Sequence, residues 1–334
     1  MARFFVSDQQ HVSFRYESGT YAVPSGVNTW IGLVTDHSVD EDMGVIPVRY
    51  AGTNSRLTQQ FLDGPQTFTN SITFHPQNFR MLKFVLGSCV DGGSPSPYTH
   101  NYLPNHNNAN SLEIPNLPLS SFSITDAKNT GIAGSNFIRT FSGCVANTFS
   151  LSVNEGEPAS VELGYVAQSV VYTSGAVPGV SGVDTTTPFM WRHSQVHMPS
   201  GTVLTELKNL TLSINNNLET PHYVDNNRFI GQPIPTNLDV ELELGLNATA
   251  EFTKTLYDQF FIGGSVTNLL IALSASTGSK ELFVTLSGAK LVDMDAPSPS
   301  EGVQEQTLTF QAGSVFAQEF SDNQYNNCFS GGGF

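Results

Sequence analysis

The segment GEPASVELGYVAQSV, Gly156 to Val170, returns in altered wording as EGVQEQTLTFQAGSV, Glu301 to Val315, at an ungapped spacing of 145 residues. The register reaches back to Ser142-Gly143 and Ser287-Gly288, and it sets Leu163 on Leu308 and Tyr165 on Phe310. A chain that carries one strand-turn-strand unit twice is restricted to folds that can use it twice. Each unit also leaves an edge strand, and an uncovered edge invites pairing with another copy.

The repeat extends toward the N-terminus. In QTFTNSITF, Gln66 to Phe74, the apolar Phe68, Ile72 and Phe74 alternate with Thr67, Thr69, Ser71 and Thr73, the period of a half-buried strand. Pro76 opens a short amphipathic run with Phe79, Leu82 and Leu86 on one face, stopped at Gly87, which predicts a helix over 77–86. LDVELELGL, Leu238 to Leu246, leads in the same order to Phe252, Leu256 and Phe260, stopped at Gly263, which predicts a second helix over 250–262. The Ser88–Ser265 spacing is 177, so the first copy holds about 32 extra residues, assigned to the Pro-, Asn- and Gly-rich stretch 91–118 as a surface loop.

The expected organisation is an N-terminal arm at 1–25, a first copy at 26–170, a linker at 171–202, a second copy at 203–315 and a tail at 316–334. The fold class is mainly β (α+β): two tandem antiparallel sandwiches or half-barrels, each with one short flanking helix.

Charge narrows the function. The chain has 14 Lys and Arg against 29 Asp and Glu, a net charge of −15, so a grip on nucleic-acid phosphates is not expected. MARFFVSDQQ lacks the apolar core of an export signal, and no run approaches the roughly 18 apolar residues of a membrane helix. Cys89, Cys144 and Cys328 form no metal or disulfide pattern and read as free thiols of a reducing compartment. His193 and His197 have metal spacing only on a helix, and no helical pattern surrounds them. The acidic stretches Asp36 to Gly44 and Asp293 to Gly302 read as solvated turns without the ligand spacing of a cation loop. The sequons at Asn209 and Asn247 have no export signal to support them. No GxSxG, GxxxxGK[ST] or HExxH occurs, so neither an enzyme nor a cofactor is expected.

One strand stands out. In DVELELGL, Val240, Leu242, Leu244 and Leu246 point one way, and Asp239, Glu241 and Glu243 the other. Like charges in a row repel, so the bland reading is a solvated sheet face and the sharper one a wall of a wide aqueous channel.

The segments DGPQTFTNSITFHPQNFRMLKFVLGS, RTFSGCVANTFSLSVNEGEPASVELGYVAQSV, SINNNLETPHYV, LYDQFFIGG and LVDMDAPSPSEGVQEQTLTF resemble the major tail tube proteins of long-tailed viruses with non-contractile tails, over roughly residues 25–315. The resemblance implies tube domains whose inner strands close, six to a ring, into a β-barrel. Rings stack into an electronegative conduit for genomic DNA. With two units per chain, three chains would make a pseudo-six-fold ring. The expected lumen-facing residues are Asp239, Glu241, Glu243, Glu162, Thr67, Thr69 and Thr307. The expected inter-ring arm is Asp40 to Gln60, with Asp40, Glu41, Asp42, Arg49, Arg56 and Gln59 as contacts. Implied partners are further copies of the chain, other tail proteins (tape measure, terminator and tip) and passing DNA, with no membrane and no cofactor. The place is a virion tail assembled in host cytoplasm. Two readings from other classes stay open, a trimeric outer-membrane porin and a sugar-binding β-sandwich.

Overall fold

The computed structural model describes residues 10–321 except 18–20, 53–55, 93–96, 105–118, 131–133, 199–202, 225–226, most of 250–265, 276–279 and 296–300. The first half of the chain contains β1 (Gln10–Tyr16), β2 (Leu33–Asp42), β3 (Val45–Val48), β4 (Gln60–Asp63), β5 (Thr67–His75), α1 (Leu82–Leu86), β6 (Gly87–Gly92), β7 (Tyr98–Pro104), β8 (Phe122–Lys128), β9 (Phe137–Asn154), β10 (Ser160–Ala167) and β11 (Ser169–Thr173). The second contains β12 (Ser194–His197), β13 (Leu207–Asn215), β14 (Leu218–Glu219), β15 (Ile234–Pro235), β16 (Asp239–Asn247), β17 (Val266–Ser274), β18 (Glu281–Asp295), β19 (Glu305–Gln311) and β20 (Ser314–Ser321).

The fold is mainly antiparallel β, as the alternating segments predict. One sheet runs through the whole chain in the order β2-β5-β10-β9-β13-β16-β19-β18, continuing to β20-β7-β6. It stays open, with β2 at one end, so the single chain forms no closed barrel. The long strands β9 and β18 each serve two sheets. Their first parts pair with β8 and β11, and with β17 and β20; their last parts pair with β10 and with β19. A strand that switches sheets makes a sandwich corner. Both turn the corner at a glycine with positive φ, Gly143 at 66° and Gly288 at 65°. L side chains avoid that backbone region. The inner faces close over one core that includes Phe14, Phe84, Phe122, Phe141, Leu151 and Leu163, continuing through Leu212, Leu242, Leu286 and Phe310.

The pairing pattern repeats down to its irregularities. Leu163 lies between Ile72 and Phe149, and Leu308 between Leu244 and Met294. The β9–β10 ladder skips Asn147 and the β18–β19 ladder skips Val292, 145 residues on. Phe122 pairs with Cys144 and Ile124 with Phe141, while Thr267 pairs with Ala289 and Leu269 with Leu286, again at 145. On the other side β2 skips Thr35 against β5, and β13 skips Lys208 against β16.

Several expected boundaries move. The N-terminal arm is not free of the fold, because β1 pairs along β8 and buries Phe14 completely. The linker contributes β12, which pairs with β17 and buries Val196. The C-terminal tail is strand to Ser321, since β20 continues the ladder begun at Ser314. The 91–118 stretch is only partly a loop: β7 pairs with β6 and with β20 and buries Tyr102, while 105–118 lie outside the described residues. The helix expected at 77–86 shrinks to Leu82–Leu86. Its first residues are drawn away, Gln77 by Trp30, Asp184 and Thr186 and the Phe79 N–H by Glu319. The second expected helix, 250–262, falls almost wholly outside the described residues. Cys144 is buried and free, whereas Cys89 is disulfide-bonded, against the expectation of free thiols.

Candidate functional site

Strand pairing decides which side chains share a face, because directly opposed residues in an antiparallel ladder point the same way. From Asp36 the ladder runs through Thr73, Glu162, Ser150, Ser213, Glu241 and Gln311. Neighbouring rows add Ser38, Asp40 and Asp42 on β2, Thr67, Thr69 and Ser71 on β5, Thr148 and Ser152 on β9, and Thr211 and Asn215 on β13. Asp239, Glu243, Thr307, Thr309, Glu305, Asp293 and Asp295 complete it. All seven residues expected to line a channel, Asp239, Glu241, Glu243, Glu162, Thr67, Thr69 and Thr307, thus lie on one continuous polar face. The opposite face of the same strands is core, with Ile72, Leu163, Leu151, Leu212, Leu242 and Leu308 fully or nearly fully buried.

The polar face carries ten carboxylates: Asp36, Asp40, Asp42, Glu162, Asp239, Glu241, Glu243, Asp293, Asp295 and Glu305. The cations there are Lys290, opposite Gln311, and Lys208, which is paired to Glu305. Of the two acidic stretches read from sequence as turns, 36–42 and 293–295 are strand, and 296–300 lie outside the described residues. The tell-tale alternation in DHSVDED was disguised because two of its three inward positions, His37 and Glu41, are polar too.

His37 and Glu41 belong to a largely buried polar network. His37 Nε2 meets the Tyr165 hydroxyl at 2.8 Å, and His37 Nδ1 lies 3.6 Å from Asp126 Oδ2. Arg139 donates to Asp126 through Nε at 3.1 Å and again through a terminal nitrogen, and reaches Glu41 at 3.4 Å. Tyr172 donates to Glu41, and Gln10 donates to Asp126 at 3.0 Å. Burial alone would raise the Asp126 pKa, but the facing His37 and the hydrogen bonds from Arg139 outweigh it and hold it at about 2. At the equivalent places of the C-terminal half stand Leu210, Ile214, Ile271, Val284 and Phe310, all apolar. Glu41 is thus committed inside the fold, unlike the other expected inter-ring contacts.

The expected arm is a β-hairpin. β3 and β4 pair from Val45–Asp63 to Val48–Gln60, apart from the main sheet. Its neck is tight: the Gly64 N–H donates to Gly44 O at 2.8 Å, and a Cβ on Gly44 would sit 1.7 Å from Pro65 O. Arg228 clamps the neck, donating to Gly64 O and Met43 O and pairing with Asp63 at 3.2 Å. Beyond the neck the hairpin is exposed and apolar, with Val45 at 56%, Phe61 at 67% and Leu57 at 76% of full exposure. Arg49, Arg56 and Gln59 lie in the exposed far part of the hairpin. Arg228 was not legible as part of this arm, since 164 residues separate it from Gly64.

Other candidates assemble nothing catalytic. His193 ends a single 3-10 turn and His197 lies in β12, so the two do not share a helix face. Cys89, Asp91 and His100 gather their ligand-type atoms within 4.8 Å, but His100 Nδ1 is bonded to Asp91 at 2.6 Å and Cys89 is in a disulfide, which leaves no thiolate for a metal. Among the described residues no helix is long and apolar enough to cross a membrane. A family model described as phage tail tube protein matches residues 48–312. No curated protein matches the chain.

Proposed function

The chain belongs to the phage tail tube protein family, and on that premise we propose that it polymerises as stacked rings into the tail tube, a channel for genomic DNA, in a non-contractile tail. Membership makes it a structural component of a virion tail and suggests a protein without enzymatic activity; it disfavours a porin. The observation that carries the reading is the polar sheet face, acidic and continuous across both halves of the chain, backed everywhere by core.

The coincident ladders, skipped residues and corner glycines support a tandem duplication. We take its copies to run over about 10–173 and 194–321, a reading supported by the pairing of β1 with β8, β11 with β9, β12 with β17 and β20 with β18. Three chains would then supply six units and, at eight strands per chain, a 24-stranded closed sheet. With strands about 4.8 Å apart and tilted about 40°, that barrel is roughly 48 Å across at the backbone and roughly 35–40 Å clear of side chains, wide enough for duplex DNA. Duplex DNA bears one charge per about 1.7 Å, so lysines on the wall would retard it and carboxylates keep it sliding. The β3–β4 hairpin, with its exposed Phe61, Leu57 and Val45, is the contact to the next ring. The remaining partners are the other tail proteins, and assembly takes place in host cytoplasm.

Electron microscopy of the purified chain tests this. Tubes built of rings with three chains each are expected; rings of six chains, or a chain that stays monomeric at all concentrations, would refute it.

A further inference from the structure

Inside one chain the two halves of the polar sheet join where β13 pairs with β9, with Thr148 opposite Asn215 and Ser150 opposite Ser213. By their shared pairing partners, β18 is the counterpart of β9, and β2 the counterpart of β13. Both counterparts have an open edge. Among the described residues β2 pairs with β5 alone, and 291–295 of β18 pair with β19 alone.

We propose that neighbouring chains join by repeating the β9–β13 junction, the end of β18 pairing antiparallel with β2 of a second copy. The inference rests on the ring reading above and adds the edges and the register. Moving the internal register by 145 residues on one strand and by 173, the Asp36–Asn209 spacing, on the other sets the pairs. Asp293 falls opposite Asp42, Met294 opposite Glu41 and Asp295 opposite Asp40 of the second copy. Pro297 and Pro299 follow and lack the N–H a ladder needs, so the seam ends close to Asp295.

The two junctions differ in chemistry. The internal one opposes Ser, Thr and Asn; the external one opposes four carboxylates. Opposed like charges weaken a strand pair, and charge on an edge strand is a common guard against unwanted pairing. The external seam therefore closes late, when chains are concentrated or salt screens the carboxylates, while the internal junction forms on folding.

Two cysteine pairs test the register: Asp40→Cys with Asp295→Cys, and Asp42→Cys with Asp293→Cys, each pair on one chain. The two pairs are two residues apart along the ladder and therefore share one geometry, and in either geometry the Cα atoms, about 4.5 or 5.5 Å apart, lie within disulfide range. Oxidised assemblies on a non-reducing gel are expected to show dimer and trimer bands for at least one pair. Ser38→Cys with Asp293→Cys, out of register, is expected to stay monomeric. Rings without a cross-link at either pair overturn the seam and leave the ring reading standing; cross-links without rings do the reverse. Separately, Asp293→Asn with Asp295→Asn is expected to lower the critical concentration for assembly roughly two- to thirtyfold at low salt, a gap that closes at high salt. No change at low salt overturns the guarding role.

Discussion

Arg139→Val should cost about 3 kcal/mol of folding stability, because it strands Asp126, whose side chain is 0% exposed, with only His37 and Gln10 to answer its charge. The lower end of the usual 3–5 kcal/mol range applies, since those two partners remain. The C-terminal half supplies the counter-experiment. Its equivalent positions hold a wholly apolar solution, so His37→Leu, Glu41→Ile, Asp126→Ile, Arg139→Val and Tyr165→Phe together import Leu210, Ile214, Ile271, Val284 and Phe310. Replacing a whole buried ionic group by packed apolar residues is often neutral or stabilising, so the fivefold variant should return to within about 1 kcal/mol of wild type. Urea unfolding of the unassembled chain, followed by fluorescence of Trp30 and Trp191, reads this as a midpoint that drops by about 1 M for the single variant and recovers for the fivefold one. A fivefold variant as unstable as Arg139→Val would refute the equivalence of the two halves on which the reasoning rests.

Asp126 also sets a pH dependence. Its pKa is about 2 folded against the 3.8 of an ordinary aspartate, so its stabilisation, about 2 kcal/mol, is present above pH 4 and is lost as pH falls toward 2; unfolding free energies measured across that window should show the loss in wild type and not in the fivefold variant. Gly143→Ala should destabilise more than Gly288→Ala in the same urea assay. Both pay about 1–2 kcal/mol for a left-handed backbone, but only at Gly143 would the new Cβ sit 2.9 Å from Tyr21 and Gln168. Excising Val45–Asp63 and joining Gly44 to Gly64 should leave rings that do not stack; tubes of normal length in electron micrographs would remove the hairpin from that role. Asp239→Lys, Glu241→Lys and Glu243→Lys together should leave tubes that assemble but release DNA slowly at low salt, and an unchanged ejection rate would count against the channel assignment.

Alternation made β5, β10, β16 and β19 legible, because a strand with one face in the core and one in water writes its period of two into the residues themselves. The same period exposed the carboxylate row of β16 and, at a spacing of 145, the recurrence of β10 in β19. β2 escaped because the rule it obeys is not apolar-in, polar-out: His37 and Glu41 turn inward to Asp126, Arg139, Tyr165 and Tyr172, residues 85 or more positions away in the chain. The hairpin neck at Gly44 and Gly64 escaped for a related reason, since Arg228 holds it from a distant segment. Local pattern by itself thus determined that this chain is antiparallel β, that one strand pattern recurs at a spacing of 145, and that one strand face is acidic. Only the tertiary structure decided which strands lie side by side, that β1 and β12 belong to the core, that the polar faces of both halves merge into one, and which edges stay open. Those depend on burial and register between residues far apart in sequence, where side-chain partners, not local periodicity, settle the free energy.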